Sequence, residues 1–253
     1  MRWIKFLSAS GMLFSSLLVA QVIPAGTTLP TMLNSTLDAR KDSPGRHISG
    51  RIMQDIPLPD GSRIPAGSRV EGQILQVSRP VAASGSQVVL KFDRLYMHGR
   101  SLPLLTDLRA IASMTEVYEA QLPTNALDDY GTSYSDWNTV QVGGDAVYRG
   151  NGEVLVRDEV VAEATLGGDV TGRLRAVPER GCRGAIDGND REQALWVFST
   201  SACGSYGFGD LKISHAGRTD PEGQIKLESA ANVHVRGGSG LLLRVISASF
   251  SPQ

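Results

Sequence analysis

Apolar residues in the first half of this chain recur at every second position, in short runs broken by turn residues. In 47–56, Ile48, Gly50 and Ile52 share one parity. In 69–77 the same is true of Val70, Gly72 and Ile74. In 88–97, Val88, Leu90 and Phe92 alternate with Lys91 and Asp93. A period of two places alternate side chains on opposite faces of a strand, so each run predicts a half-buried β-strand. Asp60-Gly61 and the His98-Gly99 stretch between runs predict tight turns.

One segment departs from this rhythm. Leu108, Ile111, Thr115, Tyr118 and Leu122 fall near helical spacing, with Thr106 placed to cap. One short helix near 106–121 is expected. Residues 123–139 form a polar loop. Beyond it β-type runs return, punctuated by Gly143-Gly144, Asn151-Gly152 and Pro221…Gly223. Trp196 and Phe198 lie at alternate positions and are expected in the core. The pattern therefore predicts a mainly β protein, with a barrel-like first half (21–122) followed by a second β unit (140–253).

The first twenty residues change the picture of where this fold works. Arg2 and Lys5 precede the apolar run FLSASGMLFSSLLVA, the order of a secretory signal peptide, so 1–20 is read as a targeting segment. No later stretch is apolar enough for a transmembrane helix, which leaves peripheral membrane association open. An exported chain in the periplasm or outer envelope meets an oxidising compartment. Its two cysteines, Cys182 and Cys203, are therefore expected to form a disulfide. Lys and Arg total 25 against 26 Asp and Glu, a balance without the basic excess that nucleic-acid binding needs.

The phrase Ile-Pro-Ala-Gly occurs at 23–26 and again at 64–67. Proline fixes φ and glycine permits positive φ, so the phrase reads as a device that bends the chain into a strand. Its wider context matches a pattern: Gly26, Thr27, Leu29 and Pro30; Pro44-Gly45; Asp55-Ile56; Ile64, Pro65, Gly67, Ser68, Val70 and Gly72; Phe92, Arg94, Leu95 and Gly99. In this order residues 22–105 resemble the C-terminal β-barrel of the TrbI-like scaffold family of conjugation and type IV secretion machines. The resemblance implies a barrel-building role for these positions and envelope proteins, or further copies of the chain, as partners. The second half does not match the family's pattern.

Candidate chemistry is sparse. His47 and His98 sit by turns, and His215 and His234 lie in strand-like runs. Ser205, His215 and Asp210 contain the residue types of a hydrolytic triad, but G-x-S-x-G is absent. Cys203 lacks the flanking signatures of thiol enzymes, and a bridge would remove its nucleophile. Asp128, Asp129 and Asp136 are weak calcium candidates without EF-hand spacing. Tyr130, Tyr134 and Trp137 cluster in the polar loop and form the candidate partner or ligand surface. The reading is a non-enzymatic, cofactor-free envelope protein with a structural or interaction role. An extracytoplasmic ligand-binding module, for a glycan or calcium-dependent, is the alternative.

Overall fold

The structure is a computed structural model. It describes residues 23–81, 84–121, 142, 195–198, 202–214 and 222–248, together with the backbone of five further strands within 137–174. The first half contributes β1 (Thr28–Leu33), β2 (Leu37–Asp38), β3 (His47–Ile52), β4 (Ile56–Pro57) and β5 (Arg63–Ile64). It continues with β6 (Arg69–Val81), β7 (Gly85–Met97), β8 (Arg100–Pro103), β9 (Leu105–Ala112) and helix α1 (Met114–Glu119). Then come β10 (Trp137–Val140), β11 (Ala146–Gly150), β12 (Glu153–Val156), β13 (Glu159–Ala164) and β14 (Gly172–Leu174). The last are β15 (Gly204–Tyr206), β16 (Lys212–Ile213), β17 (Ile225–Ser229), β18 (His234–Val235) and β19 (Gly240–Ser247). The protein is mainly β.

The alternating runs form the strands they predict. Ile48, Gly50 and Ile52, then Val70, Gly72 and Ile74, then Val88, Leu90 and Phe92, are all buried on one face. His98 and Gly99 both adopt positive φ, 49° and 71°, in the β7–β8 turn.

Three expectations need correction. The helix begins later than its periodicity suggests. Residues 105–112 are the strand β9, Thr106 is buried with its hydroxyl donating to the Phe92 carbonyl at 3.1 Å, and Ser113 caps α1 by accepting from the Glu116 N–H. Leu108 and Ile111 face the main core, while Ala110 and Ala112 face a second cluster with Trp196 and Phe198. A bulge at Arg109 places Leu108 and Ile111, three residues apart, on the same face of the strand, and that spacing imitates a helix. Trp196 and Phe198 do lie in the core, but in a turn, with Trp196 at φ 51°.

The division between halves also differs. The second β unit is the five-stranded antiparallel sheet β10–β14. Strands β15, β16, β17 and β19 instead return to the first sheet, which runs β15-β9-β19-β1-β3-β6-β7-β17-β16, with β8 on β7, while β18 pairs with β2. Strand β19 fills the place between β1 and β9. Finally, among the described residues no strand pairing closes this sheet into a barrel. Its end strands β15 and β16 are joined by residues 207–211 alone, which limits their separation to about 20 Å. The Ser205 hydroxyl donates to the Leu211 carbonyl within that connection, yet no ladder joins β15 to β16.

The repeated phrase has a structural answer. Pro24–Thr27 and Pro65–Ser68 form the same turn, with glycine φ of 87° and 85° and bonds from Thr27 N–H to Pro24 O and Ser68 N–H to Pro65 O. Two more copies lack the phrase: Ser43–Arg46 around Gly45 (φ 85°) and Arg236–Ser239 around Gly238 (φ 88°). The four lead into β1, β6, β3 and β19, which are neighbours in the sheet. Each glycine N–H docks on an adjacent strand. Gly26 donates to Val245 O and Gly238 to Leu33 O, while Gly45 donates to Ile74 O and Gly67 to Ile52 O, all at 2.7–2.8 Å. Strand pairs β1/β19 and β3/β6 are thereby clipped at both ends.

Candidate functional site

The β6–β7 hairpin is longer than the sheet that supports it. Each strand has 13 residues, but β3 pairs only with Arg69–Gln73 of β6. The far half of the hairpin stands beside β17, which pairs with Ser86–Leu90 of β7, and beside β16 at the sheet's end. Between them lies a cleft of about 640 Å³ lined by residues of the hairpin (78–79, 81, 84–87), of the β15–β16 connection and β16 (210, 212), and of β17 and its end (228–230).

Local chemistry fixes the walls. Gly85 adopts φ 63°, and a side chain there would meet the Ser229 carbonyl at 2.3 Å, so only glycine lets the hairpin lie this close. Asp210 accepts from the Ser229 hydroxyl at 2.8 Å and from the Ala231 N–H at 3.0 Å. The Ser229 bond, followed by that of Ala231, holds its carboxyl below the usual range. Glu228 is bonded by Lys226 at 2.7 Å and by the Gln87 amide at 3.2 Å, and the Lys226 bond is the main cause of its lowered pKa. The Ser86 hydroxyl accepts from the Val233 N–H at 2.6 Å and keeps its own proton to donate. Both acids of the cleft are therefore engaged, whereas the exposed Arg79 and Lys212 have no ion-pair partner among the described residues.

Two other polar constellations stabilise the fold. Arg244 on β19 pairs with Asp107 on β9, Nη2 to Oδ2 at 2.7 Å and Nε to Oδ1 at 3.3 Å, with side chains only 6% and 4% exposed. Arg109 beside them donates to the Ala202 carbonyl at 3.0 Å. Asp38 joins β2 to the segment before β18, accepting from Asn232 at 3.0 Å and lying 3.6 Å from His234 Nδ1.

Most residues singled out in the sequence lie elsewhere. Tyr130, Tyr134, Asp128, Asp129, Asp136, Cys182 and His215 fall outside the described residues, as does the 1–20 segment. Trp137 opens β10, opposite Arg149. Cys203 precedes β15, its N–H donating to the Tyr206 hydroxyl at 2.8 Å. Its pairing with Cys182 stands as a proposal. Ser205 and Asp210 are not brought together as a catalytic pair, since one bonds Leu211 and the other Ser229. His47 is exposed at the start of β3. Arg79, Gln87 and Lys212 escaped the sequence reading. The one signal that points toward them is the length of the alternating run on either side of 82–84, which exceeds its neighbours.

Among the described residues no helix is long and apolar enough to cross a membrane. No protein-family model matches the chain, and none of the curated proteins matches it.

Proposed function

We propose that the chain is a non-enzymatic, exported cell-envelope protein with a structural or interaction role, of the kind that conjugation and type IV secretion assemblies use. The observation that supports it is the use made of the residues behind the TrbI-like resemblance. Gly26, Gly45 and Gly67 lead strands into one frame, and the hydrogen bonds of each fasten a neighbouring strand. Repeated sequence here builds rigidity. A rigid frame with a projecting hairpin suits a part that is held by other parts.

The test is the native mass of the protein in a gentle extract of its own envelope fraction. A large, discrete assembly is expected. A soluble monomer at native abundance would overturn the assembly role.

A further inference from the structure

We infer that the cleft between the β6–β7 hairpin and the β16–β17 edge binds an anionic saccharide, a sugar bearing a carboxylate or phosphate. Its volume, about 640 Å³, lies within the range of small-molecule sites. The charge around it is not neutralised from within. Glu228 is neutralised by Lys226, while Asp210 keeps its charge but turns an oxygen to Ser229 and Ala231, so two cations stand against one uncompensated carboxylate. Arg79 on one wall and Lys212 on the other remain to meet an external anion. A guanidinium and an ammonium facing one ligand give charge-assisted hydrogen bonds, the strong kind.

The rest of the lining selects what carries the anion. Ser78 and Ser84 present hydroxyls, and Gln87 keeps its carboxamide oxygen as an acceptor while its nitrogen serves Glu228. The hydroxyls both donate and accept and the carboxamide oxygen accepts, which matches a ring of hydroxyls better than a bare inorganic ion. Among the described residues no aromatic ring lines the cleft, so the sugar is held by its edges rather than by stacking. This inference is independent of the assembly role. A monomeric native mass leaves it standing, and turnover of the bound sugar would contradict only the non-enzymatic reading.

Calorimetric titration of the full mature chain tests it, with trigalacturonate and glucose 1-phosphate as probes and maltotriose and inorganic phosphate as controls. Binding of at least one anionic sugar is expected, weakened about tenfold or more by Arg79→Gln and by Lys212→Gln. Arg51→Gln, a substitution of an exposed arginine on β3, should leave it unchanged. Trigalacturonate binding alone identifies a carboxylated ligand, and glucose 1-phosphate alone a phosphorylated one. Absence of binding at millimolar probe, affinity unmoved in both cleft variants, or equal affinity for inorganic phosphate or maltotriose would each overturn the proposal.

Discussion

The strand pairs β3/β6 and β1/β19 are held by the same two glycine clips but are assembled from very different chain distances. In β3/β6 the two turns centre on Gly45 and Gly67, close in sequence. In β1/β19 they centre on Gly26 and Gly238, near opposite ends of the chain. The phasing after each glycine is also shared. Positions three and seven residues on are Leu29 and Leu33, Ile48 and Ile52, Val70 and Ile74, Leu241 and Val245, all buried. What differs is the other face. That of β3/β6 carries exposed Arg51 and Arg69, whereas β19 is covered on both sides and hides Arg244 there. A local hairpin needs one buried face to hold its register. A pairing that closes the whole chain is reinforced on two.

The largest expected effect breaks that difference. Arg244→Ala breaks the bidentate pair with Asp107, whose side chain is only 4% exposed, and breaking a buried pair costs about 3–5 kcal/mol. Arg69→Ala removes an exposed bond to Glu71 at 3.0 Å and should cost about 0–1 kcal/mol. Urea unfolding of both variants checks the contrast. If Arg244→Ala were as mild as Arg69→Ala, the second buried face would not be what secures β19.

How much of this was legible in the sequence follows the same line. Alternation in β3, β6 and β7 was plain because one face meets water and only one is apolar. It failed in β9, where a bulge at Arg109 puts Leu108 and Ile111 on one face and where the polar Asp107 and Arg109 are themselves buried. The repeated turn was visible only where Ile-Pro-Ala-Gly was spelled out. Gly237-Gly238 does the same work with different letters, because the turn demands only positive φ at one position. The return of β15, β16, β17 and β19 to the first sheet left no local trace, since pairing between distant segments is written in shape, not in neighbouring residues. The cleft was hidden for the same reason, as Arg79 and Lys212 come to line one cleft only once β17 has docked on β7.

A smaller effect sharpens the likeness of the two pairs. Gly67→Ala and Gly238→Ala both force a non-glycine residue to φ near +85°, which costs about 1–2 kcal/mol. An added Cβ at Gly67 meets nothing within 4 Å, while at Gly238 it meets only the flexible Met114 side chain at 3.2 Å. Equal losses in denaturant midpoint are therefore expected. A far greater loss at Gly238 would show that cover by α1, rather than backbone conformation, dominates that turn.

The smallest effect concerns acid, and it belongs to β1/β19 alone. Asp38, in the segment that follows β1, accepts from the Arg40 N–H and from Asn232, and Asn232 leads toward β19. The Asn232 bond is the main cause holding the Asp38 carboxyl below its usual range, helped by the Arg40 N–H and the nearby His234 and Lys41. A carboxyl whose folded pKa lies below its unfolded one binds its proton more readily when unfolded. Its contribution is thus present above the unfolded value, about 3.9, and fades as pH falls through the folded one. Asp38→Asn abolishes that proton linkage. The variant should start less stable at neutral pH and then lose less between about pH 5 and pH 3 than the parent does. Thermal melts across that interval measure both slopes. Parallel curves would mean that Asp38 is bonded equally well before folding, and that the clasp adds nothing to the pair it spans.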